Sequence, residues 1–223
     1  MDHPEIEKSR TAFLSLCAAV LLTTFKAVVG FATGSLGILS EALHSALDFV
    51  AAAITWVCVK MSGKPADQDH NFGHGKIENL SALAEAALLF ITCGWIIWEA
   101  VERLLGGHTD VSVGFWSFAV VITSIVVDVT RSRALMKAAK KYKSQALEAD
   151  ALHFSTDILS SAVVLFGLIC TWLGWPSADS FAALGVAAIV ICVSWNLARR
   201  AIDELLDKAP GAKFRKFWGK SRE

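Results

Sequence analysis

The sequence lacks any polar stretch long enough to build a soluble domain. Of its 223 residues, 54% are apolar, and they are grouped into long blocks. A helical bilayer crossing needs about 20 consecutive apolar residues. Six such blocks occupy most of the chain, near 11–33, 36–62, 79–103, 112–130, 146–174 and 178–198. We therefore predict an all-α, multi-pass integral membrane protein with six transmembrane helices, located in the cell or cytoplasmic membrane.

Paired cysteines, a signal peptide and net charge are also missing. The five cysteines fall singly inside apolar blocks with no CxxC spacing; they are Cys17, Cys58, Cys93, Cys170 and Cys192. We therefore predict that they act as small buried apolar residues, and that they form neither disulfides nor thiolate metal sites. Residues 1–10 are polar and contain acids, which favours a retained first helix over a cleaved signal peptide. The formal net charge is zero, and we expect no nucleic-acid partner.

Positive charge is almost absent from every second connection between the blocks. Of the 21 Lys and Arg residues, 19 lie in the four segments 1–10, 60–78, 131–143 and 199–222. Short segments rich in Lys and Arg stay on the cytoplasmic side of a membrane. Six crossings place these four segments on one side, so we predict that both termini are cytoplasmic.

Two apolar blocks each contain a histidine and an aspartate four residues apart. His44 and Asp48 lie in the second block, and His153 and Asp157 lie in the fifth. Residues at this spacing share one face of a helix. Each pair begins about eight residues, or roughly 12 Å, inside its block, so two antiparallel helices bring both pairs near the midplane. The alternative is that each His and Asp only stabilises helix packing, but intramembrane ionisable groups usually mark ion paths.

Two imidazoles and two carboxylates suit a tetrahedral Zn²⁺ ion, and two negative charges offset the charge of the ion in a medium of low polarity. Imidazole disfavours Mg²⁺ and Ca²⁺, whereas Cd²⁺, Co²⁺ and Fe²⁺ remain chemically possible. Histidine titrates near pH 6.5 in its unperturbed form and binds metal only when deprotonated. Protons and the metal therefore compete for one site, and a proton gradient can drive the metal out.

A polar loop between the second and third blocks carries a second possible metal site. Asp67, His70 and His74 have a D-x-x-H-x-x-x-H spacing on the predicted cytoplasmic side, with Asp69 nearby. Three oxygen and nitrogen ligands with a water molecule can hold Zn²⁺. The glycines beside His74 indicate irregular backbone, so the spacing alone leaves a solvated loop as an equal alternative.

These segments together resemble the cation diffusion facilitator family. The resemblance spans nearly all of the membrane part, from GSLGILSEALHSALD through DQDHNFGHGKIE and EADALHFSTDILSSAVVL to ADSFAALGVAAIV. It implies that His44, Asp48, His153 and Asp157 form the transport site, and that a histidine in the first position accompanies zinc preference. It also implies a loop metal site at Asp67, His70 and His74, a homodimer, alternating access and exchange of metal for protons.

The chain departs from that family in two places. Glu41 stands where the family often has Asp, on the entry side of the transport site. Members usually continue into a cytoplasmic ferredoxin-like domain, whereas we expect a six-helix transport domain at 1–208 and only a short basic tail at 209–223, too short to form such a domain. The tail contains aromatic and basic residues, which suit either the anionic inner leaflet or a disordered segment.

Other charged positions have simpler explanations. Asp150 and Asp179 begin the fifth and sixth blocks, where capping or solvated roles are typical of carboxylates. Glu85 in the third block can line a cavity, Lys26 in the first can pair with an acid, and Asp128 and Arg131 can pair locally. None of these is predicted to bind metal.

The leading hypothesis is a secondary transporter that exports Zn²⁺ from the cytoplasm in exchange for protons. The alternative is a membrane sensor or partner-binding protein that binds Zn²⁺ without moving it, although such a protein has no need for ligands halfway across the bilayer. An enzyme needs an open coordination position beside an acid or base, and four protein ligands leave none. We therefore predict that the protein is not an enzyme.

Overall fold

The computed structural model describes residues 3–34, 36–105, 115–172 and 177–208, and this part of the chain is helical with no strand. It forms six helices in the predicted order. They are α1 (His3–Thr33), α2 (Leu36–Ser62), α3 (Ile77–Leu105), α4 (Phe115–Tyr142), α5 (Gln145–Trp172) and α6 (Ser177–Leu205). The predicted basic tail at 209–223 lies outside the described residues, as do the connections at 106–114 and 173–176.

The helices extend further than the apolar blocks on one side of the bundle, which we call the basic end because the Lys- and Arg-rich segments lie there. Helix α1 begins at His3 rather than near residue 11, and α4 ends at Tyr142 rather than near residue 130. The two extensions contact each other, since Lys141 Nζ of α4 donates to Glu7 Oε2 of α1 at 2.8 Å. Ala138 and Ala139 of α4 also join a buried cluster with Ala146 of α5. Packing, and not hydropathy alone, therefore sets the helix ends.

Four helices contain described stretches long and apolar enough to cross a bilayer: Pro4–Thr33, Ala42–Ser62, Ile77–Glu102 and Ala183–Leu205. Helices α4 and α5 are outside this set. The second half of α4 is rich in Lys and Arg, and α5 carries three acids. Large apolar side chains cover the outer surface; Leu21, Phe31 and Trp95 are examples, each at least 67% exposed. An apolar exterior of this kind fits lipid rather than water.

Small residues fill the interior between the helices. Helices α1 and α2, α3 and α6, and α4 and α5 pack in pairs, while α5 also contacts α2, α3 and α6. Alanine dominates both buried clusters, one between α1, α2, α4 and α5 and the other between α3, α5 and α6. Small side chains allow the close helix approach that stabilises bundles in lipid. Helix α5 is consequently central, with its polar residues facing the other helices.

Two close contacts set the positions of helices around α5. Gly30 of α1 lies against α2, where an added Cβ would stand 2.8 Å from Leu39 Cδ2 and 3.2 Å from the Leu39 backbone nitrogen, so a side chain there would require Leu39 to shift. Helix α5 begins after Ser144, which is 3% exposed and whose Oγ accepts the backbone N–H of Leu147 at 3.4 Å. Serine at this position is a typical helix cap. Because the cap itself is buried, α5 starts inside the bundle.

This buried start makes the capping or solvated role predicted for Asp150 wrong. Asp150 is fully buried, and its Oδ2 accepts a hydrogen bond from Ser15 Oγ of α1 at 3.5 Å. Arg131 of α4 donates to the same hydroxyl from Nε at 3.3 Å and Nη2 at 3.2 Å, and its Nη1 lies 3.5 Å from Asp128 Oδ1. Its guanidinium stacks 3.6 Å from the ring centroid of Phe154. The expected local pair of Asp128 and Arg131 is confirmed, and it belongs to a network that spans three helices.

The cysteine prediction holds only in part. Cys93 is buried, and Cys17 and Cys58 are half-buried, all with free thiols. Cys192 is exposed on α6, so its predicted burial is wrong. An exposed thiol on the outside of a membrane bundle remains in an apolar medium. Hydropathy therefore does not distinguish a cysteine that faces lipid from one that faces the interior of the bundle. The side chain of Cys170 lies outside the described part of the structure.

We predict that Arg131→Ala lowers the free energy of unfolding by about 3–5 kcal/mol, because it removes the guanidinium that pairs with buried Asp128 and lies near buried Asp150. Unfolding in mixed micelles, followed by tryptophan fluorescence, measures the change. Arg133→Ala is the matched control, since Arg133 is exposed on the same helix, and its effect should stay within about 0.5 kcal/mol. Equal effects of the two substitutions would contradict a structural role for the buried network.

Candidate metal site

The two His–Asp pairs of α2 and α5 meet in the interior, as their spacing predicts. His153 Nε2 lies 3.3 Å from Asp48 Oδ1, and His44 Nε2 lies 3.9 Å from Asp157 Oδ1. Each contact joins the first member of one pair to the second member of the other, which is the arrangement that antiparallel neighbouring helices produce. The local helix geometry and the direction of the chain are sufficient to bring the pairs together.

Three of the four side chains form a compact group. One ligand atom each from Asp48, His153 and Asp157 lies within 4.8 Å of the other two. His153 Nε2 is 3.8 Å from Asp157 Oδ2, and that buried oxygen has no hydrogen-bond partner within the described part of the chain. Zinc bonds of about 2.0–2.2 Å in a tetrahedron set ligand atoms roughly 3.3–3.6 Å apart. The contacts in this group are therefore close to the separations that a bound cation requires.

His44 lies at the edge of the group rather than within it. Its side chain is 43% exposed, whereas the side chains of Asp48, His153 and Asp157 are between 6% and 13% exposed. It is near Asp157 but is not part of the compact set of three. The four predicted residues are thus neighbours, with three buried together and one more accessible.

Sequence reasoning did not identify Glu85 of α3 as part of this site. Its Oε2 lies 3.2 Å from His153 Nδ1, the ring nitrogen on the far side from Asp48. Glu85 is 1% exposed, so a carboxylate is buried directly behind the imidazole. The sequence signal was an acid inside an apolar block, but its partner depends on how α3 packs against α5. Lys26 also points inward, where its Nζ donates to Ser45 Oγ at 2.8 Å.

The loop after α2 brings together its own predicted residues. Asp67 Oδ1 lies 3.1 Å from His70 Nδ1, and Asp67 Oδ2 lies 3.5 Å from His74 Nε2. The two imidazole rings are 4.4 Å apart between centroids. Gly73, with φ at +77°, supplies a left-handed turn that L side chains rarely adopt, and so allows the chain to fold back toward Asp67. Asp69 donates its backbone N–H to Asp67 Oδ1 at 3.1 Å.

Backbone hydrogen bonds hold the Asp67 carboxylate in its charged form. The N–H of His70 donates to Oδ1 at 2.7 Å, and this bond lowers the pKa of Asp67 below its usual 3.8. Hydrogen bonds to the ionised form stabilise it relative to the neutral acid. The loop therefore presents a carboxylate between two imidazoles, a set of ligands that suits a divalent cation.

The profile of the cation efflux transmembrane domain matches residues 12–206, which include both groups of side chains. The chain belongs to the cation efflux family. As a member, it is a multi-pass membrane protein that transports metal cations, and it is not an enzyme.

Several relatives align with most of the length of this cation efflux protein. It is 30% identical over 202 residues to magnetosome protein MamB of Magnetospirillum gryphiswaldense, covering 91% of this chain and 68% of MamB. It is 35% identical over 210 residues to an uncharacterized transporter of Methanocaldococcus jannaschii, covering 94% and 73% of the two chains. It is 30% identical over 203 residues to the cation-efflux pump FieF of Salmonella arizonae, covering 90% and 67%. The similarity thus covers all six helices.

We predict that the hydrogen bonds around Asp67 are lost only at a pH below the usual pKa of an aspartate side chain. A depressed pKa means that the contribution of the charged form is present above about pH 4 and disappears as the pH falls through the lowered value. The amide resonance of His70, followed by NMR between about pH 2 and 6, should shift with a midpoint below 3.8.

Asp67→Asn serves as the control for this titration, because an amide keeps an acceptor oxygen but has no proton to gain. The shift of the His70 amide should disappear in that variant. A midpoint at or above the ordinary aspartate value in the unmodified protein would show that the hydrogen bond does not hold the charged form.

Proposed function

We propose that this protein exports Zn²⁺ from the cytoplasm in exchange for protons, by alternating access of a site formed by His44, Asp48, His153 and Asp157. The compact group of Asp48, His153 and Asp157 carries this proposal. A buried set of one imidazole and two carboxylates, drawn from two helices in the interior of a cation efflux protein, has the chemistry of a cation site. His44 completes four ligands when it moves inward from the edge.

The ligand set favours zinc among divalent cations. Two nitrogen and two oxygen donors suit the borderline character and tetrahedral preference of Zn²⁺, whereas Mg²⁺ and Ca²⁺ prefer six or more oxygens. Cd²⁺, Co²⁺ and Fe²⁺ bind similar ligands and are the competing substrates. The two aspartates match the double charge of the ion, which lowers the cost of holding it in an apolar interior.

The contacts of His153 support proton exchange. Its Nε2 lies between Asp48 Oδ1 and Asp157 Oδ2, the position from which it would also bind the cation. A proton on Nε2 would donate to these carboxylates, and a metal ion must displace it because only a deprotonated imidazole binds. Loading of one species therefore requires release of the other, which is the condition for antiport.

The charge distribution supports a cytoplasmic position for the basic end, and the name of a relative supports export. Lys60 lies in the last turn of α2, and Arg199 and Arg200 lie near the end of α6. Six Lys and Arg residues lie in 131–143, near the end of α4. All of these lie at the basic end, and positive segments remain in the cytoplasm. Both termini would then be cytoplasmic, and a pump that follows the name of its Salmonella relative would carry cations outward.

A polar cluster at the basic end is the contact that alternating access would have to break. Glu78 of α3 accepts a hydrogen bond from Lys8 Nζ of α1 at 2.8 Å and from Ser62 Oγ of α2 at 3.0 Å. Ser144, which caps α5, also donates to Glu78. All but Ser62 are at most 7% exposed. One carboxylate thus connects four helices between the candidate site and the cytoplasmic side, and separating them would open a path.

The loop residues Asp67, His70 and His74 supply a second proposed Zn²⁺ site, on the cytoplasmic side. Its support is the pair of carboxylate–imidazole contacts from one aspartate. A homodimer is proposed from the family resemblance. A membrane sensor that binds Zn²⁺ without moving it shares the site but not the transport, so flux separates the two functions.

In sealed vesicles with a pH gradient, we predict that the wild-type protein moves Zn²⁺, and that His153→Ala or Asp157→Ala reduces movement to the rate of protein-free vesicles. Each substitution removes a buried ligand of the compact group. A zinc-sensitive dye inside the vesicles measures the flux. Cd²⁺ and Mn²⁺, tested in parallel, rank the cations.

Glu204→Gln is the control for these variants, since Glu204 is an exposed acid near the end of α6. It should transport at the wild-type rate, and circular dichroism should give the same helix content for all variants. Wild-type flux in both site variants would refute the site. Zinc binding without flux in the wild type would favour the sensor.

We also predict that Zn²⁺ binding near pH 7 releases protons. Calorimetric titration in buffers of different ionisation enthalpy gives the number released, in a background carrying Asp67→Ala to remove the loop site. The number should be greater than zero, because ligands must lose protons to bind metal. Zero release would remove the exchange mechanism while leaving zinc binding intact.

A further inference from the structure

Glu85 contacts the candidate site without being one of its ligands. Its Oε2 lies 3.2 Å from His153 Nδ1, and among the described residues neither of these buried atoms has a hydrogen-bond partner, so the two face each other at pairing distance without yet being aligned as a hydrogen bond. The opposite ring nitrogen, Nε2, lies 3.3 Å from Asp48 Oδ1. The carboxylate of Glu85 is therefore behind the imidazole, on the side away from the two aspartates. Only one nitrogen of an imidazole faces the candidate cation position, and Glu85 occupies the other side.

The carboxylate is itself held by a second helix. Thr55 of α2 donates from Oγ1 to Glu85 Oε1 at 3.1 Å, and the Thr55 hydroxyl lies 3.3 Å from Ser81 Oγ of α3. These three side chains are at most 1% exposed. The chain of contacts from Ser81 through Thr55 and Glu85 to His153 connects α3, α2 and α5. A buried carboxylate with this arrangement has little freedom to rotate.

The partners of Glu85 distinguish it from the structural acids in the bundle. Among the described residues, its contacts are a hydroxyl and an imidazole, with no Lys or Arg against it. Glu78 on the same helix pairs with Lys8, and Asp128 pairs with Arg131. A buried carboxylate without a permanent cation is expensive to retain for packing alone. Its orientation toward Nδ1 gives it a role at the imidazole.

We propose that Glu85 is a positioning residue for His153: it accepts the Nδ1 proton, fixes the ring plane, and thereby directs the Nε2 lone pair at a divalent cation held with Asp48 and Asp157. This inference deepens the proposed function and rests on it. Histidines that bind metal usually donate their other N–H to such a partner, which selects the tautomer and raises the basicity of the ligating nitrogen. The charge of Glu85, added to those of the two aspartates, also favours a divalent over a monovalent cation.

The test combines Zn²⁺ affinity with a direct measurement of the tautomer. Protein with ¹⁵N-labelled histidine is reconstituted in nanodiscs, in the Asp67→Ala background, and titrated with Zn²⁺ alone. Glu85→Ala should weaken binding by about 10- to 100-fold, the usual effect of removing such a partner. The ¹⁵N shifts of His153 in the metal-free, neutral imidazole, assigned by their loss in His153→Asn, should show the proton on Nδ1 in the wild type and a mixture of the Nδ1–H and Nε2–H tautomers in Glu85→Ala.

Two further variants separate positioning from charge and from packing. Glu85→Gln keeps an acceptor for the Nδ1 proton, so it should retain the tautomer and lose less affinity than Glu85→Ala. Thr55→Val releases the carboxylate but leaves it in place, and should produce an intermediate loss. Glu102→Gln is the control on α3, since Glu102 is an exposed acid of the same helix, and the tautomer of His153 in this variant should equal that of the wild type.

The outcomes for this inference and for the proposed function differ. If wild-type affinity is unchanged by Asp48→Ala, the proposed transport site is wrong. If binding requires Asp48 but Glu85→Ala leaves both the affinity and the His153 tautomer unchanged, the positioning role alone is overturned. The positioning role is also overturned if Glu85→Gln and Glu85→Ala lose the same amount of Zn²⁺ affinity while the His153 tautomer stays unchanged. That result would assign the effect to the charge of Glu85.

Discussion

The contact between Asp48 and His153 is the interaction around which the rest of the bundle is arranged. A carboxylate and an imidazole, 12% and 6% exposed, meet at 3.3 Å between two helices in an apolar interior. Neither group is stable there alone, because burial of an unpaired charge is unfavourable. Helix α5 must therefore stay in contact with α2, and the helices around them must supply polar partners. Its central position among α2, α3, α4 and α6 satisfies both requirements.

The buried polar groups are arranged in layers along α5 rather than scattered. Nearest the basic end, Ser144 meets Glu78; further along, Asp150 meets Ser15 and approaches Arg131; beyond that, His153 meets Asp48 and Glu85. The first two layers contain permanent cations, Lys8 and Arg131, whose charge offsets the acids. In the third layer the described contacts of the acids are with an imidazole and a hydroxyl. The first two layers are therefore held by direct contacts with Lys or Arg, whereas the third is centred on an imidazole, a group that can exchange a proton for a metal cation.

The sequence was sufficient for the parts of this arrangement that follow from a single helix. Spacing of four residues placed His44 with Asp48 and His153 with Asp157, and the number of crossings made the two helices antiparallel. The roles of Glu85 and Asp150 could not be obtained in this way. Each depends on how one helix is rotated against another, and for Asp150 on the start of α5 inside the bundle, where the usual preference for a cap at a helix start no longer applies. The predicted ends of α1 and α4 were wrong for a related reason, because both helices continue through polar sequence that is stabilised by packing.

The unequal positions of the four proposed ligands suit a transporter better than a storage site. Three of them are already within 4.8 Å of one another, whereas His44 has a side chain 43% exposed and lies 3.9 Å from Asp157. A site that transports an ion must bind it well enough to load and weakly enough to release it. A preformed group of three lowers the conformational cost of loading, because few side chains must be ordered. In the proposed cycle, a fourth ligand at the edge would complete the coordination or withdraw from it, and its withdrawal would leave the ion on three ligands for which a proton competes.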